Sequence, residues 1–229
     1  MQFHFLTLEA CHNVTGAVVV IDVIRAFTTA AYAFAAGAAK ILPVASVDDA
    51  WALRQRLPDA QLMGEAGGLP LAGFDFGNSP AALIGRDLTG QTLIQRTSAG
   101  TQGIVRSVGA KPLLAGSFVC AGATARYLRR LAPPAVTFVN TTAHGEDAAC
   151  AAYIKAVLHD EIPPTQTLLH QAHEAGLQHL HEAKKGGAFS ATELASLEAD
   201  FDYCLALDRF NFAMLVEEQA GLLQMTAVT

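Results

Sequence analysis

Short β-branched runs alternate with helical segments between residues 16 and 150, and this alternation limits the possible fold more than any other feature. Each run has the length of a buried strand, and the segment after it has helical spacing. The order predicts a three-layer α/β/α fold with a mostly parallel or mixed sheet. The runs are AVVVID (17–22), KILPV (40–44), AQLMGE (60–65), QTLIQRTS (91–98), KPLLAGS (111–117) and AVTFVN (135–140).

After Pro163 and Pro164 the pattern becomes helical. Residues 165–185 and 190–208 predict two helices separated by a glycine-containing turn, and residues 221–228 predict a final edge strand. We therefore expect one α/β domain over residues 1–229, with a helical C-terminal part from about residue 163 packed onto it.

The composition restricts the class of protein. The chain has 229 residues, 52% of them hydrophobic and 16% charged, so it can bury a sizeable core. A net charge of −6 without a basic run longer than two residues argues against nucleic-acid or membrane binding. Four scattered cysteines, the lack of a signal peptide and the lack of a long apolar span lead us to expect a cytoplasmic protein.

The segment GEAGGLPLAGFDFGNSP (64–80) contains five glycines and two prolines, and it predicts a long irregular loop. Loops of this length in compact domains are usually functional or disordered.

Polar residues follow five of the predicted strands, and ligands of open α/β sheets bind at the carboxyl ends of strands. Carboxylates there suit Mg²⁺, whereas guanidinium groups, hydroxyls and backbone amides suit an anion. Together they predict a Mg²⁺-dependent phosphatase. The predicted catalytic residues are Asp22, Arg25, Glu65 and Asp75; the predicted metal ligands are Asp22, Glu65, Asp75 and Asp147; and the predicted substrate-binding residues are Thr28, Thr29, Asn78, Ser79, Arg96, Thr97, Ser98, Gly100, Thr101 and Ser117.

Each of these residues also has a structural interpretation. Asp75 and Asn78 suit Asx turns within their own loop. Glu146 and Asp147 fall in the first turn of a predicted helix, where acidic residues are favourable. The hydroxyls of Thr97, Ser98 and Thr101 in TSAGT could simply cap the helix that follows. The histidines between residues 170 and 181 are more typical of a solvated helix than of a metal site.

Five motifs together resemble the 2-phosphosulfolactate phosphatases of the coenzyme M pathway. They are VVVIDVIRAFTTA, GEAGGLPLAGFDFGNSP, RTSAGTQG, AGSFVCAGATARYL and GEDAACAAYI, and DYCLALDRFNFAM near the end extends the match. The resemblance implies a three-layer α/β fold, an oligomer such as a dimer, and Mg²⁺-dependent hydrolysis of a phosphate ester of a small 2-hydroxy acid. Glu65 and Asp75 would face the metal, Asn78 and Ser79 the substrate, and Arg25 the phosphoryl group. Asp22 would be either a metal ligand or the nucleophile.

The chain departs from the family pattern at three positions. Ala66 stands where an arginine is common, Ala99 where an asparagine is common, and Cys120 near a position that often holds an asparagine. The resemblance therefore supports phosphatase chemistry more directly than the named substrate.

Two other functions fit parts of the sequence. Cys120 at a predicted helix start, with Asp22 after an early strand, faintly resembles isochorismatase-type cysteine hydrolases. A non-catalytic protein that binds an anion or a phosphorylated metabolite is the other alternative.

Overall fold

The computed structural model describes residues 1–229, and its strands form one mixed ten-stranded sheet. The strands are β1 (Gln2–Thr7), β2 (Ala17–Ile21), β3 (Lys40–Pro43), β4 (Gln61–Ala66), β5 (Leu69–Pro70), β6 (Thr92–Arg96), β7 (Leu113–Gly116), β8 (Ala135–Asn140), β9 (Ala213–Gln219) and β10 (Leu222–Val228). Their order is β1-β8-β2-β7-β9-β10-β3-β6-β4-β5. The first four strands of this order are parallel to one another, as are β3, β6 and β4, and the β9–β10 hairpin is antiparallel to its neighbours.

Helices cover both faces of the sheet, which confirms the predicted three-layer fold. Val18 and Val20 of β2 pack on the side of α1 (Ala26–Ala35) and α3 (Gly100–Arg106), whereas Val19 and Ile21 pack on the side of α4 (Ala121–Leu131) and α5 (Glu146–Leu158). All five residues of β2 are buried, as expected for a central strand covered on both faces. The helices are α1 (Ala26–Ala35), α2 (Val47–Arg56), α3 (Gly100–Arg106), α4 (Ala121–Leu131), α5 (Glu146–Leu158), α6 (Thr165–Gly186), α7 (Ala191–Ala199) and α8 (Phe201–Cys204).

The C-terminal part differs from its prediction in two ways. The predicted helix over 190–208 is divided at Asp200 into α7 and α8. The tail is not an edge strand, because β10 pairs with β9 and β3 in the middle of the sheet. A two-residue turn at Ala220 and Gly221, both with positive φ, joins β9 to β10.

The glycine-rich segment is more regular than predicted. Gly67 and Gly68 have φ values of +59° and +81° and form the two-residue turn between β4 and β5. Phe76 then bridges back to Met63 of β4. The segment is therefore folded against the outer strand of the sheet, and its turn lies near the carboxyl end of β4.

No helix of the structure has the length and apolar character needed to cross a membrane.

Candidate active site

A cavity of about 320 Å³ lies at the carboxyl ends of β2, β4, β6 and β8, and we call it the site cavity. Its floor comes from the strand ends and its cover from α6 and the α6–α7 connection. The residues around it are Asp22, Ile24, Arg25, Glu65, Gly67, Gly68, Asn78, Ser98, Ala99, Thr142, His144, His179, Glu182, Ala183 and Phe189. Five of these, Asp22, Arg25, Glu65, Asn78 and Ser98, were predicted site residues.

Asp22 follows the buried strand β2 and is only 4% exposed. Its Oδ1 accepts a hydrogen bond of 2.9 Å from the Ala26 amide at the start of α1. Burial raises the pKa of the Asp22 carboxyl to about 7, and the charges of Glu65 and Glu146 add to the rise against the opposing Ala26 hydrogen bond. A cation in the cavity would reverse this penalty on the ionised form.

Glu65 ties two walls of the site cavity together. Its Oε2 accepts from the Gly68 amide at 2.6 Å and from the Ser98 hydroxyl at 3.1 Å, and its Oε1 accepts from the Ser98 amide at 2.5 Å. The carboxylate therefore joins the β4–β5 turn to the segment that leads into α3.

Glu146 and Asp147 are neighbours in the first turn of α5 but make different contacts. Asp147 accepts from the backbone amides of Val23, Thr141 and Thr142 at 2.9 to 3.1 Å, so both of its oxygens are engaged. Asp147, a predicted metal ligand, does not line the cavity, and neither does Glu146. Glu146 accepts one bond, from the Thr142 hydroxyl at 2.8 Å, and its Oε2 is buried without a partner.

Arg25 is held by Asp200, a residue that the sequence did not reveal as part of the site. Arg25 Nη1 donates to Asp200 Oδ2 at 2.8 Å in a buried ion pair. Asp200 Oδ1 accepts from the Ser79 hydroxyl at 2.7 Å. Ser79 therefore points at Asp200, and it borders a second cavity of about 280 Å³ on the other side of Arg25.

Asp75, predicted as a catalytic residue and metal ligand, lies outside both cavities. Its carboxylate accepts from the Leu62 amide at 2.8 Å and approaches Arg54 of α2 at 3.4 Å. The structure does not bring Asp75 together with the other predicted site residues, because the segment bends back along β4 and directs Asp75 towards α2.

Most of the predicted substrate-binding hydroxyls are buried and bonded to the protein. The Thr28 hydroxyl bonds Val23 O and Ser117 Oγ, and the Thr29 hydroxyl donates to Arg25 O. The hydroxyls of Thr97 and Thr101 each accept from the backbone amide of the other residue. These predicted substrate-binding residues hold the backbone under the cavity and do not line it.

Arg96 and Gly100 also support the site from outside the cavity. Arg96 Nη1 donates to Glu65 O at 2.7 Å, so its charge is directed at β4 and not at the cavity. A Cβ at Gly100 would lie 2.8 Å from Asp22 Oδ2 and 2.8 Å from the Ala26 side chain, so the α3 backbone can approach Asp22 only with glycine there.

The cover of the site cavity brings in residues that the sequence did not predict. His144 Nε2 lies 3.6 Å from Glu182 Oε2, and its ring packs edge-on against His179 at 5.3 Å. Burial lowers the pKa of His179, with a further contribution from His144. The i, i+3 spacing of His179 and Glu182 on α6 was a possible signal, but it does not show which face meets the sheet.

The carboxylates of the site cavity fit a divalent cation of the Mg²⁺ type. No three His, Cys, Asp or Glu side chains converge into a preformed cage. Mg²⁺ does not need one, because it is usually held by one or two carboxylates together with water and substrate phosphate. Glu146 Oε2 is buried without a partner, and burial raises the pKa of Asp22, so a bound cation would stabilise the ionised form of both carboxyls.

Cys120 cannot serve as the nucleophile of a cysteine hydrolase. It is fully buried, and desolvation raises the pKa of its thiol to about 11. A nucleophilic cysteine needs the opposite conditions, namely access and a lowered pKa. The isochorismatase-type alternative is therefore wrong.

The fold and the site together define a class of protein. It is an α/β protein that binds or hydrolyses a ligand at the carboxyl ends of its parallel strands, here beside carboxylates and one guanidinium. Comparison with known families makes this specific. The family model of 2-phosphosulpholactate phosphatase matches residues 5–219, so the chain belongs to that family, as the motifs predicted.

Individual relatives agree with this assignment. The chain is 40% identical over 143 residues to a probable 2-phosphosulfolactate phosphatase of Bacillus subtilis and 44% identical over 148 residues to one of Carboxydothermus hydrogenoformans. These matches cover 61% and 63% of this chain but only 63% and 61% of the relatives, which is less than two thirds of their length. A Synechocystis protein of the same name is 31% identical over 222 residues, which is 90% of this chain and 91% of that protein.

Proposed function

We propose that this chain is a Mg²⁺-dependent phosphatase that hydrolyses the phosphate monoester of a small 2-hydroxy acid, with 2-phosphosulfolactate as the first substrate to test. The observation that carries the proposal is the pair of carboxylates, Asp22 and Glu65, that lines the site cavity beside Arg25, with the charge of Glu146 near enough to raise the pKa of Asp22. A cation at these carboxylates would offset their repulsion of an anionic ester. The family membership and the names of the relatives supply the reaction class.

Asp22 and Glu146 would hold the cation, since each has an oxygen that is not engaged by a protein donor. When bound, the cation would offset the charge that develops on the phosphoryl oxygens. Arg25 would orient the phosphoryl group through its N–H donors, which suit phosphate geometry. Asn78 lines the cavity, and its amide NH2 would donate to oxygens of the anionic substrate. Asp22 remains either a ligand or the nucleophile.

The cavity cover would exclude water from the site. Phe189 lies against the Gly68 backbone, so the α6–α7 connection closes over the β4–β5 turn. His144 and His179 are the imidazoles at this cavity and lie on the side of the cover. The four buried free thiols support a location in a reducing compartment, and we propose the cytoplasm. We also propose that the protein is a dimer.

The test measures phosphate release from a panel of phosphorylated 2-hydroxy acids that includes 2-phosphosulfolactate. Each assay runs with Mg²⁺ and with chelator, for the wild type, Asp22→Asn and the matched control Asp75→Asn. We expect metal-dependent release that falls by at least about 100-fold in Asp22→Asn, the loss typical of a group at the reacting centre. Asp75→Asn should stay within about twofold, because its side chain lies outside the cavity and changes there are usually small.

Two results would contradict the proposal. Equal losses in both variants would place Asp75 in the reaction and make our site wrong. Binding of phosphate without turnover of any compound would favour the non-catalytic anion-binding protein.

A further inference from the structure

A buried ion pair links the C-terminal helices to the site cavity through Arg25 and Asp200. We propose that Asp200 is a positioning residue that fixes the Arg25 guanidinium, and with it the Ser79 end of the glycine-rich segment, for the bound phosphate ester. This inference rests on the proposed function, and it assigns Asp200 a role beyond folding of the C-terminal part.

The contacts of Asp200 all lead to the walls of the site. Asp200 has no exposed surface and lies between α7 and α8. Its Oδ2 accepts from Arg25 Nη1 at 2.8 Å, and its Oδ1 accepts from the Ser79 hydroxyl at 2.7 Å and from the Ala81 amide at 3.1 Å. One carboxylate therefore fixes the position of Arg25 relative to the Ser79–Ala81 segment.

Arg25 has no other close polar anchor. Its Nη2 is 3.5 Å from the Gly68 carbonyl oxygen, at the limit of a hydrogen bond. The side chain borders both the site cavity and the second cavity. Without Asp200 the long side chain would be free to change rotamer, and ordering it again on ligand binding would weaken the affinity for an anion.

The substitution Asp200→Asn separates positioning from packing. Asparagine has nearly the same shape, but an amide NH2 replaces one carboxylate oxygen. Because Arg25 bonds Oδ2 whereas Ser79 and Ala81 bond Oδ1, one of the two sides then faces a donor and loses its acceptor. The control is Asp208→Asn, which disturbs a carboxylate that accepts from the Gly122 amide at 2.5 Å and from the Tyr153 hydroxyl at 2.8 Å, and which borders neither cavity.

The experiment measures the Kd for inorganic phosphate in the presence of Mg²⁺ by calorimetry, and KM and kcat for the best ester. In Asp200→Asn we expect Kd and KM to rise by at least about tenfold, the range for loss of one charge-assisted hydrogen bond, with kcat within about threefold. In an Arg25→Gln background, Asp200→Asn should cause no further rise in either constant. Asp208→Asn should lower the melting temperature and leave Kd unchanged.

The outcomes distinguish this inference from the proposed function. If Asp200→Asn only lowers the melting temperature, or weakens phosphate binding equally in both backgrounds, the positioning role is overturned and the phosphatase stands. If the wild type binds phosphate but hydrolyses no ester, the phosphatase fails and the Kd values still decide the role of Asp200. A wild type that neither binds phosphate nor releases it overturns both.

Discussion

Two aspartates at neighbouring strand ends show how the surrounding donors determine what a carboxylate does. Asp147 receives three backbone amides and so serves as an internal anchor of the β8–α5 connection. Asp22 receives one backbone amide and faces the cavity. Both residues were predicted as metal ligands. Their roles differ because the folded backbone presents more amide donors to Asp147 than to Asp22.

The stability of the metal-free protein is expected to fall as the pH rises from about 4 to 7. Burial raises the pKa of Asp22 from 3.8 to about 7 in the folded protein. Between these values the folded state binds more protons than the unfolded state, so stability is complete below pH 4 and is lost as the pH passes 7. The loss can reach about 4 kcal/mol, at 1.36 kcal/mol for each unit of pKa. Urea unfolding at several pH values with chelator measures it.

Asp22→Asn should remove this titration and leave the slope due to Asp147, whose pKa is raised by burial in the same direction. Mg²⁺ should restore stability to the wild type mainly at the higher pH, because it binds the ionised carboxylate. The control Asp75→Asn should keep the wild-type slope. An unchanged slope in Asp22→Asn would show that Asp22 is already ionised at pH 5.

At the scale of elements, local sequence signals were sufficient wherever the structure is locally determined. Ser46 caps α2 through a capping box with Asp49, and the buried run of β2 became a central strand. The dipeptide Gly67–Gly68 is also a two-residue hairpin signal in the sequence, although the prediction places it within an irregular loop. That error arose because β5 has only two residues, too few to show alternation.

Substitutions at the β4–β5 turn should separate backbone conformation from contact with the cover. Gly67→Ala places a Cβ in open space at a φ of +59°, and should cost about 1 kcal/mol for the left-handed conformation alone. Gly68→Ala has a φ of +81° and also places its Cβ 2.7 Å from the Phe189 ring. We therefore expect Gly68→Ala to lose more free energy of unfolding and, unlike Gly67→Ala, to raise KM.

The double variant Gly68→Ala with Phe189→Ala tests the cause of the difference. Removing the ring should return the KM of Gly68→Ala towards that of Phe189→Ala alone, as a double-mutant cycle would report for a direct clash. Equal KM values for Gly67→Ala and Gly68→Ala would mean that the Phe189 contact does not shape the cavity.

At the scale of the whole molecule, the site was predictable only in part. The strand ends gave Asp22, Arg25 and Glu65, because all parallel strands end at one edge of the sheet. Asp200, His144 and His179 were not predictable as site residues, because their place depends on how α6, α7 and α8 dock onto that edge. The strand order was equally hidden, since β9 and β10 carry no sequence signal for insertion between β7 and β3.

The central position of the β9–β10 hairpin makes the C-terminus essential to the sheet. β10 is the connection between the strands around β2 and those around β6. Met225 of β10 pairs with Ile41, is fully buried and packs in the core that also contains Phe27 of α1. The sheet would tolerate the loss of an edge strand. The loss of β10 would instead remove contacts to both halves of the sheet.

Met225→Ala should therefore lower the free energy of unfolding by about 3 kcal/mol, within the range for truncating a buried side chain of this size. Gln224→Ala, one residue earlier and only half-buried, should change it by less than about 1 kcal/mol. Urea unfolding with fluorescence detection compares the two variants.

A deletion of residues 211–229 should abolish cooperative unfolding, because it removes both β9 and β10 and leaves β7 and β3 without their partners. A truncated chain that still unfolds cooperatively, or a Met225→Ala loss no larger than that of Gln224→Ala, would contradict the central placement of the hairpin.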